Sequence, residues 1–218
     1  LGADNILTWN PKFIPDDYLL KNYPQIAGLT IDKDYIEREI KITILARQKL
    51  GIWCLITRIN ADEAADAATR INADNISDNQ RSNLRESASC WWFDRDGIIF
   101  ESAPTAEGNL IYGVSDYSGR AMNFGDKVLE NDFLINLLKI FEVLKKANLK
   151  AKSLRLENLA LQEIIAEPVE GFSPNIYFSL KSDPIFGLSA LTSFKDIDLA
   201  KIDYIDLRVP NRAYYKLR

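Results

Sequence analysis

The sequence predicts an α+β protein. A small αββ unit and a polar insertion precede a larger unit of mainly antiparallel sheet with helices on one side. Three observations predict this. Several short runs alternate apolar and polar residues with the period of two that a half-buried strand requires. Asp96-Gly97 separates two such runs, the strongest short signal for a hairpin. Leu129 to Leu149 instead shows the period of an amphipathic helix.

The first expected element is a short helix over Pro15 to Pro24. Pro15 suits a first turn, Asp16 and Asp17 favour the positive dipole end, and Pro24 stops the helix. Strands follow at Gly28 to Ile36, Glu39 to Arg47 and Leu50 to Ile56, each with alternating Ile or Leu. Residues 58–88 change character. They are rich in Ala, Asn, Asp and Ser and repeat "INAD" at Ile59 and Ile71. "DEAAD" within them is not read as a helicase motif, since no phosphate-binding Gly-Lys motif accompanies it. The expectation is a polar inserted loop. Ser89 to Pro104 reads as strand, turn, strand around "DRDG". Asp94 and Asp96 invite a metal, but the further carboxylates of a calcium loop are missing, so a turn is expected. Of Trp91 and Trp92, neighbours on a strand, one should face the core.

The helix at Leu129 to Leu149 carries Phe133, Leu134, Leu137, Leu138, Phe141 and Leu144 as a broad apolar stripe. Asn131 can cap it, and Lys145 and Lys146 suit its last turn. Strand-like runs follow at Ala151 to Leu159, Ala160 to Pro168 and Asn175 to Ser182, with Gly171 and Pro174 marking the turn before the third. Ser182 to Ile197 reads as a short helix with Ser182 as N-cap and Pro184 in its first turn. Ile202 to Arg208 and Arg212 to Leu217 close the chain as strands around a Val-Pro-Asn break.

Composition narrows the function. The chain has 218 residues, 47% of them hydrophobic and 27% charged, which suits a globular protein with a real core. A net charge of −4 argues against a general nucleic-acid binder. There is no histidine, which excludes Ser-His-Asp and Cys-His catalysis and His-ligated metal sites. No run approaches the roughly 20 apolar residues of a membrane span, and no signal peptide is evident. Because the chain starts at Leu1, it is expected to be an excised piece whose targeting or anchoring segment lies upstream. The two cysteines, Cys54 and Cys90, read either as two buried small hydrophobes or as one disulfide.

The ordered set "NILTWNPKFI", "YPQIAGLTIDKDYIEREIKITILARQKLGIWC", "CWWFDRDGIIFESAP", a helix and "YIDLRVPNRAYYK" resembles the extracytoplasmic part of the FtsQ/DivIB family of bacterial cell-division proteins. The matching positions are Ala46-Arg47, Asp94 to Phe100 with Gly97, and Asp206-Leu207-Arg208. The resemblance covers nearly the whole chain. It implies that residues 1–104 are the later part of a POTRA domain with the insertion at about 58–88, and that residues 105–218 are the family's β domain. It implies an upstream transmembrane helix, with this chain outside the cytoplasmic membrane. There a Cys54–Cys90 disulfide is expected between neighbouring strands, closing a loop of roughly 35 residues and contributing about 3 kcal/mol.

The function so implied is not enzymatic and needs no cofactor. The chain would be a divisome scaffold that binds extracytoplasmic segments of FtsB- and FtsL-like partners and regulates septal wall synthesis. The last strand would accept a partner strand at its edge. Its expected contacts are Arg208, Val209, Arg212, Ala213, Tyr214, Tyr215 and Lys216. Arg208 matches the family's "DLR" arginine and would pair with a partner carboxylate. Val209 stands where the family often has an aromatic residue. One of Tyr214 and Tyr215 would anchor the core while the other offers a contact. Arg208 can instead pair internally, with Asp203 or Asp206. Two other functions are expected to leave other marks. A POTRA-type chaperone would use the edge at Gly28 to Ile36. A carboxylate-dependent wall hydrolase would use Asp94 and Asp96.

Overall fold

The computed structural model describes residues 16–34, 36–59, 85–105, 112–149, 151–169, 174–194 and 199–218. The "NILTWNPKFI" stretch, the insertion between 60 and 84 with its second "INAD", Gly171 and the end of the helix expected to reach Ile197 lie outside the described residues.

The architecture is α+β. Helix α1 (Asp16–Asn22) leads into β1 (Ile26–Asp34) and β2 (Glu39–Ala46), which pair antiparallel as a separate two-stranded sheet. Then come β3 (Gly51–Ile59), β4 (Arg85–Phe93), β5 (Ile99–Ser102) and β6 (Tyr112–Asp116). After α2 (Asn131–Lys146) come β7 (Ala151–Leu156), β8 (Glu163–Pro168) and β9 (Asn175–Ser179). Helix α3 (Ile185–Ser193), a short 3-10 turn (Leu199–Lys201), β10 (Ile202–Leu207) and β11 (Tyr214–Leu217) complete the chain. Strands β3 to β11 form one nine-stranded sheet in the order β11-β10-β9-β8-β7-β6-β3-β4-β5. Its pairs are antiparallel except β9–β10, β6–β7 and β3–β6.

The expected division at residue 104 does not follow the sheets. β3, β4 and β5 belong with β6 to β11, because β3 pairs in parallel with β6 as well as antiparallel with β4. Among the described residues, β1 and β2 are the strands outside the large sheet. The β6 strand was not legible in the sequence and supplies that link.

Side chains cross the large sheet in rows. One runs Trp91, Trp53, Val114, Leu154, Ala166, Ile176, Ile205, Tyr215. Most of these are fully buried, each large one contributing about 1.5–3 kcal/mol. Helix α2 covers this face with Leu134, Leu137, Ile140, Phe141, Val143 and Leu144. Helix α3 lies on the same face: a Cβ on Gly187 would fall 3.1 Å from Leu207, 3.6 Å from Phe178 and 3.9 Å from Val143 of α2. Trp91 packs against this core, while Trp92 faces the opposite side, where Lys49 lies over its ring.

The caps differ from expectation. Glu130, not Asn131, is the N-cap of α2. Asn131 is its first helical residue, and its side chain accepts a hydrogen bond from Lys127. At α3 the N-cap is Pro184, and Asp183 rather than Ser182 accepts the Ile185 amide.

Cys54 and Cys90 stand opposite each other in the β3–β4 ladder and form a disulfide. The bridge therefore staples the large sheet and not the αββ unit. The DRDG turn is built as expected, and its organiser is Asp94. The carboxylate accepts the Asp96 and Ile98 amides on one oxygen and an ion pair from Arg47 on the other. Gly97 takes φ +75°, a backbone geometry that favours glycine. Arg47 also donates from Nε to the Pro24 carbonyl, and its amide donates to the Gln25 carbonyl. The "AR" and "DRDG" positions of the resemblance thus meet in space.

Two stability predictions follow from these links. Arg47→Met should lower unfolding free energy in a denaturant titration by about 3 kcal/mol, because it strands a buried carboxylate. A Cys54→Ser/Cys90→Ser chain should lose about 3 kcal/mol, with the wild type falling to the same value under reductant. Near-neutral outcomes would mean that these links do not stabilise the fold.

Candidate partner-binding edge

A sheet ends on two strands whose outer backbone groups need partners. In this sheet they are β5 and β11. The β5 edge is covered at its start. Ile99 donates its amide to the Asp126 carbonyl and accepts the Gly125 amide, and Ile98 bridges to Lys127. Glu101 is held by Lys49 at 2.6 Å. The loop after β6 thus covers the first residue of that strand.

The β11 edge is open among the described residues. The turn that brings the chain to it is Val209 to Arg212, closed by the Arg212 amide on the Val209 carbonyl. Pro210 is its second residue, and Asn211, its third, takes φ +59°, the pairing expected of a type II turn. The Arg218 amide donates inward to the Lys201 carbonyl at 2.9 Å. Main-chain groups alternate along a strand, so Lys216 and Tyr214 also face β10. Ala213, Tyr215 and Leu217 therefore direct their donors and acceptors outward.

Side chains flank this outward edge on both faces. Tyr215 continues the buried row on the helix side and meets Phe194 edge to face at 5.3 Å, yet remains 48% exposed. Tyr214 lies on the opposite face, 49% exposed, and accepts a hydrogen bond from Arg212 at 3.4 Å. Ala213 is half-buried against the core. Val209, Arg212, Lys216 and Leu217 are exposed, and Lys216 pairs with Asp203 at 3.2 Å.

Arg208 departs from the expected role. Its guanidinium does not present a free charge. It holds Asp206 at 2.6 Å and Glu163 of β8 at 2.9 Å, and it lies over the Tyr177 ring. Asp206 was a foreseen internal partner, and Asp203 is taken by Lys216 instead. Glu163 was not foreseen, because the β8–β9–β10 order that brings it near is a tertiary fact. The hydrogen bonds to Asp206, with those to Glu163, hold the guanidinium protonated even more firmly than usual. Arg208 in turn keeps the Asp206 carboxyl below its ordinary range. Arg208 is thus a positioning residue that ties the entrance of the last turn to β8.

The enzymatic expectation meets a specific obstacle in Asp94, whose oxygens are committed to Arg47 and two turn amides. Among the described residues no group of three or more His, Cys, Asp or Glu side chains is placed to hold a metal ion. No described helix is long and apolar enough to cross a membrane. Compared with known proteins, the chain matches no family model and no curated protein.

The Asp206 shift fixes a pH dependence. Its folded value lies below its unfolded value, so its contribution is present above about pH 4 and is lost as pH falls through the lowered folded value. Asp206→Asn should destabilise the chain at pH 7, and the gap to wild type should shrink in denaturant titrations run stepwise from pH 5 to pH 2. A gap independent of pH would detach the Arg208 cluster from acid stability.

Proposed function

We propose that the chain is a non-enzymatic, extracytoplasmic scaffold of the bacterial division machinery, of the FtsQ/DivIB kind. It binds extracytoplasmic segments of FtsB- or FtsL-like partners by β-strand addition at β11, and so recruits and regulates septal wall synthesis. In the whole protein an upstream helix anchors it to the membrane. The observation that carries this reading is the contrast between the two sheet edges, β5 covered at its start and β11 open along its length among the described residues. The sequence resemblance supports it, and so does the α+β architecture in which an αββ unit precedes a large sheet.

In this reading a partner strand pairs with Ala213, Tyr215 and Leu217. Its side chains on the helix face lie beside Tyr215 under Phe194, and those on the other face lie beside Tyr214 and Lys216. Arg208 holds the edge in place without leaving its own carboxylates.

The test is calorimetric titration with the membrane-proximal extracytoplasmic peptide of the organism's FtsB-like protein. Wild type should bind. Ala213→Pro removes an outward donor and costs no β10 hydrogen bond, so it should weaken binding at least about tenfold, or 1.4 kcal/mol. Tyr214→Ala should weaken it by a similar factor. Unchanged affinity in both variants would move the interface off β11, and no binding by wild type would remove the division-scaffold reading itself.

A further inference from the structure

We propose that the strand β11 accepts is itself amphipathic: apolar residues face the helix side, and acidic residues alternate with them on the side of the edge cations. The inference rests on the reading of β11 as a binding edge and adds to it the chemistry of the partner.

β11 presents two unlike faces. Side chains alternate along a strand, so Ala213, Tyr215 and Leu217 share one face. Ala213 packs against the core, and Tyr215 meets Phe194 edge to face at 5.3 Å. Phe194 itself is buried, yet Tyr215 stays 48% and Leu217 56% exposed. Tyr215 ends the row that crosses the sheet through Ile176 and Ile205. A paired strand would set its own side chain next in that row, and an apolar one would bury the open half of Tyr215.

The other face is cationic. Tyr214 and Lys216 lie on it, and Arg212 joins them by donating to the Tyr214 hydroxyl at 3.4 Å. The Arg218 amide turns inward to Lys201, as those of Tyr214 and Lys216 turn to β10, so the same alternation sets its side chain with theirs. Asp203 faces this group and pairs with Lys216. Asp206 stands opposite Tyr214 in register, but it and Glu163 are held by Arg208. Among the described residues, the cations of this edge thus outnumber the carboxylates that face them.

Pairing geometry makes these charges count. Ala213, Tyr215 and Leu217 direct their main-chain groups outward. In an antiparallel pair Tyr214 and Lys216 therefore take the non-hydrogen-bonded positions, with the partner's Cα about 4.5 Å away. At that close spacing an opposite charge stabilises and a like charge destabilises. A partner carboxylate opposite Tyr214 or Lys216 meets an excess of cations. An apolar side chain there would cover charges without pairing them. A polar one beside Tyr215 would leave that ring wet. A polyanion such as a nucleic acid would meet the cations but leave the outward main-chain groups and the apolar face unpaired. A strand that alternates apolar and acidic residues answers both faces and the main chain together.

The test is calorimetric titration of the full 218-residue chain, at neutral pH and low salt, with four blocked decapeptides. Three alternate Val with Glu, Thr or Lys. The fourth has the composition of the Val/Glu peptide in paired order, which breaks the period of two. The Val/Glu peptide should bind at least about tenfold tighter than the Val/Lys peptide and than the paired-order one, with Val/Thr between. Added salt should narrow the gap to Val/Lys, because the charges are exposed. Arg212→Glu/Lys216→Glu, two surface changes, should reverse the order of Val/Glu and Val/Lys. Equal affinity of the three alternating peptides, all weakened by Ala213→Pro, would keep strand addition at β11 and overturn the acidic pattern. Paired order binding as tightly as alternating order would overturn it too. Peptides that do not bind, or whose binding Ala213→Pro leaves unaffected, would remove the β11 reading and this proposal with it.

Discussion

The Arg47–Asp94 pair is the contact on which the arrangement of this chain depends. Its two residues are 47 apart in sequence and both side chains are buried. A two-stranded hairpin such as β1–β2 is marginal in water by itself. This one ends at Ala46, and the next residue enters the DRDG turn of the large sheet. Asp94 uses one oxygen to shape that turn and the other to hold Arg47, which is also tied to Pro24 and Gln25 at the start of β1. A buried charge is tolerated only when its partners are complete. Here they are complete only if hairpin and turn are both in place, so one pair couples two units that share no strand.

A second buried carboxylate plays the corresponding part inside the sheet. Asp116 stands on the helix side between two apolar neighbours, Leu55 of β3 and Leu156 of β7. Three donors satisfy it, and the Arg120 guanidinium that neutralises it also lies over the Trp53 ring. The two carboxylates divide the work: Asp94 joins the hairpin to the sheet, and Asp116 turns the chain at the end of β6.

How much of this was legible in the sequence differs with the range of the signal. Helix α2 and the DRDG hairpin were legible because period and turn chemistry are local. The pairing of Cys54 with Cys90 was legible only through the family resemblance. β6 was not, because "YGVSD" is five residues with one large aliphatic side chain, and its neighbours β3 and β7 lie far away in sequence. Missing β6 also misplaced β3, since the parallel β3–β6 pair is what draws β3 to β5 into the large sheet. The α3 cap was missed for a smaller reason: Ser182 and Asp183 are adjacent and both carry an oxygen that can accept an amide, and it is Asp183 that takes the Ile185 amide. At the candidate edge, Ala213 to Leu217 was legible as a strand with unblocked donors. The fate of Arg208 was not, because Glu163 reaches it only through the order of β8, β9 and β10.

The open edge raises a physical question of its own, since an exposed strand end invites pairing between copies of the same chain. β11 and the residues that flank it carry Arg212, Lys216 and Arg218, and of these Lys216 is paired with Asp203. Two such strands placed edge to edge would set these cations near one another, and like charges across a strand pair are unfavourable. A neutral or acidic strand meets no such penalty. Arg208 is excluded from this balance because its charge is spent on Asp206 and Glu163. Those same bonds fix the entrance to the turn before the strand, so a chain that paired there would not need to order it. The arrangement discourages self-association while leaving the edge preorganised for a different chain, which is the combination a binding strand requires.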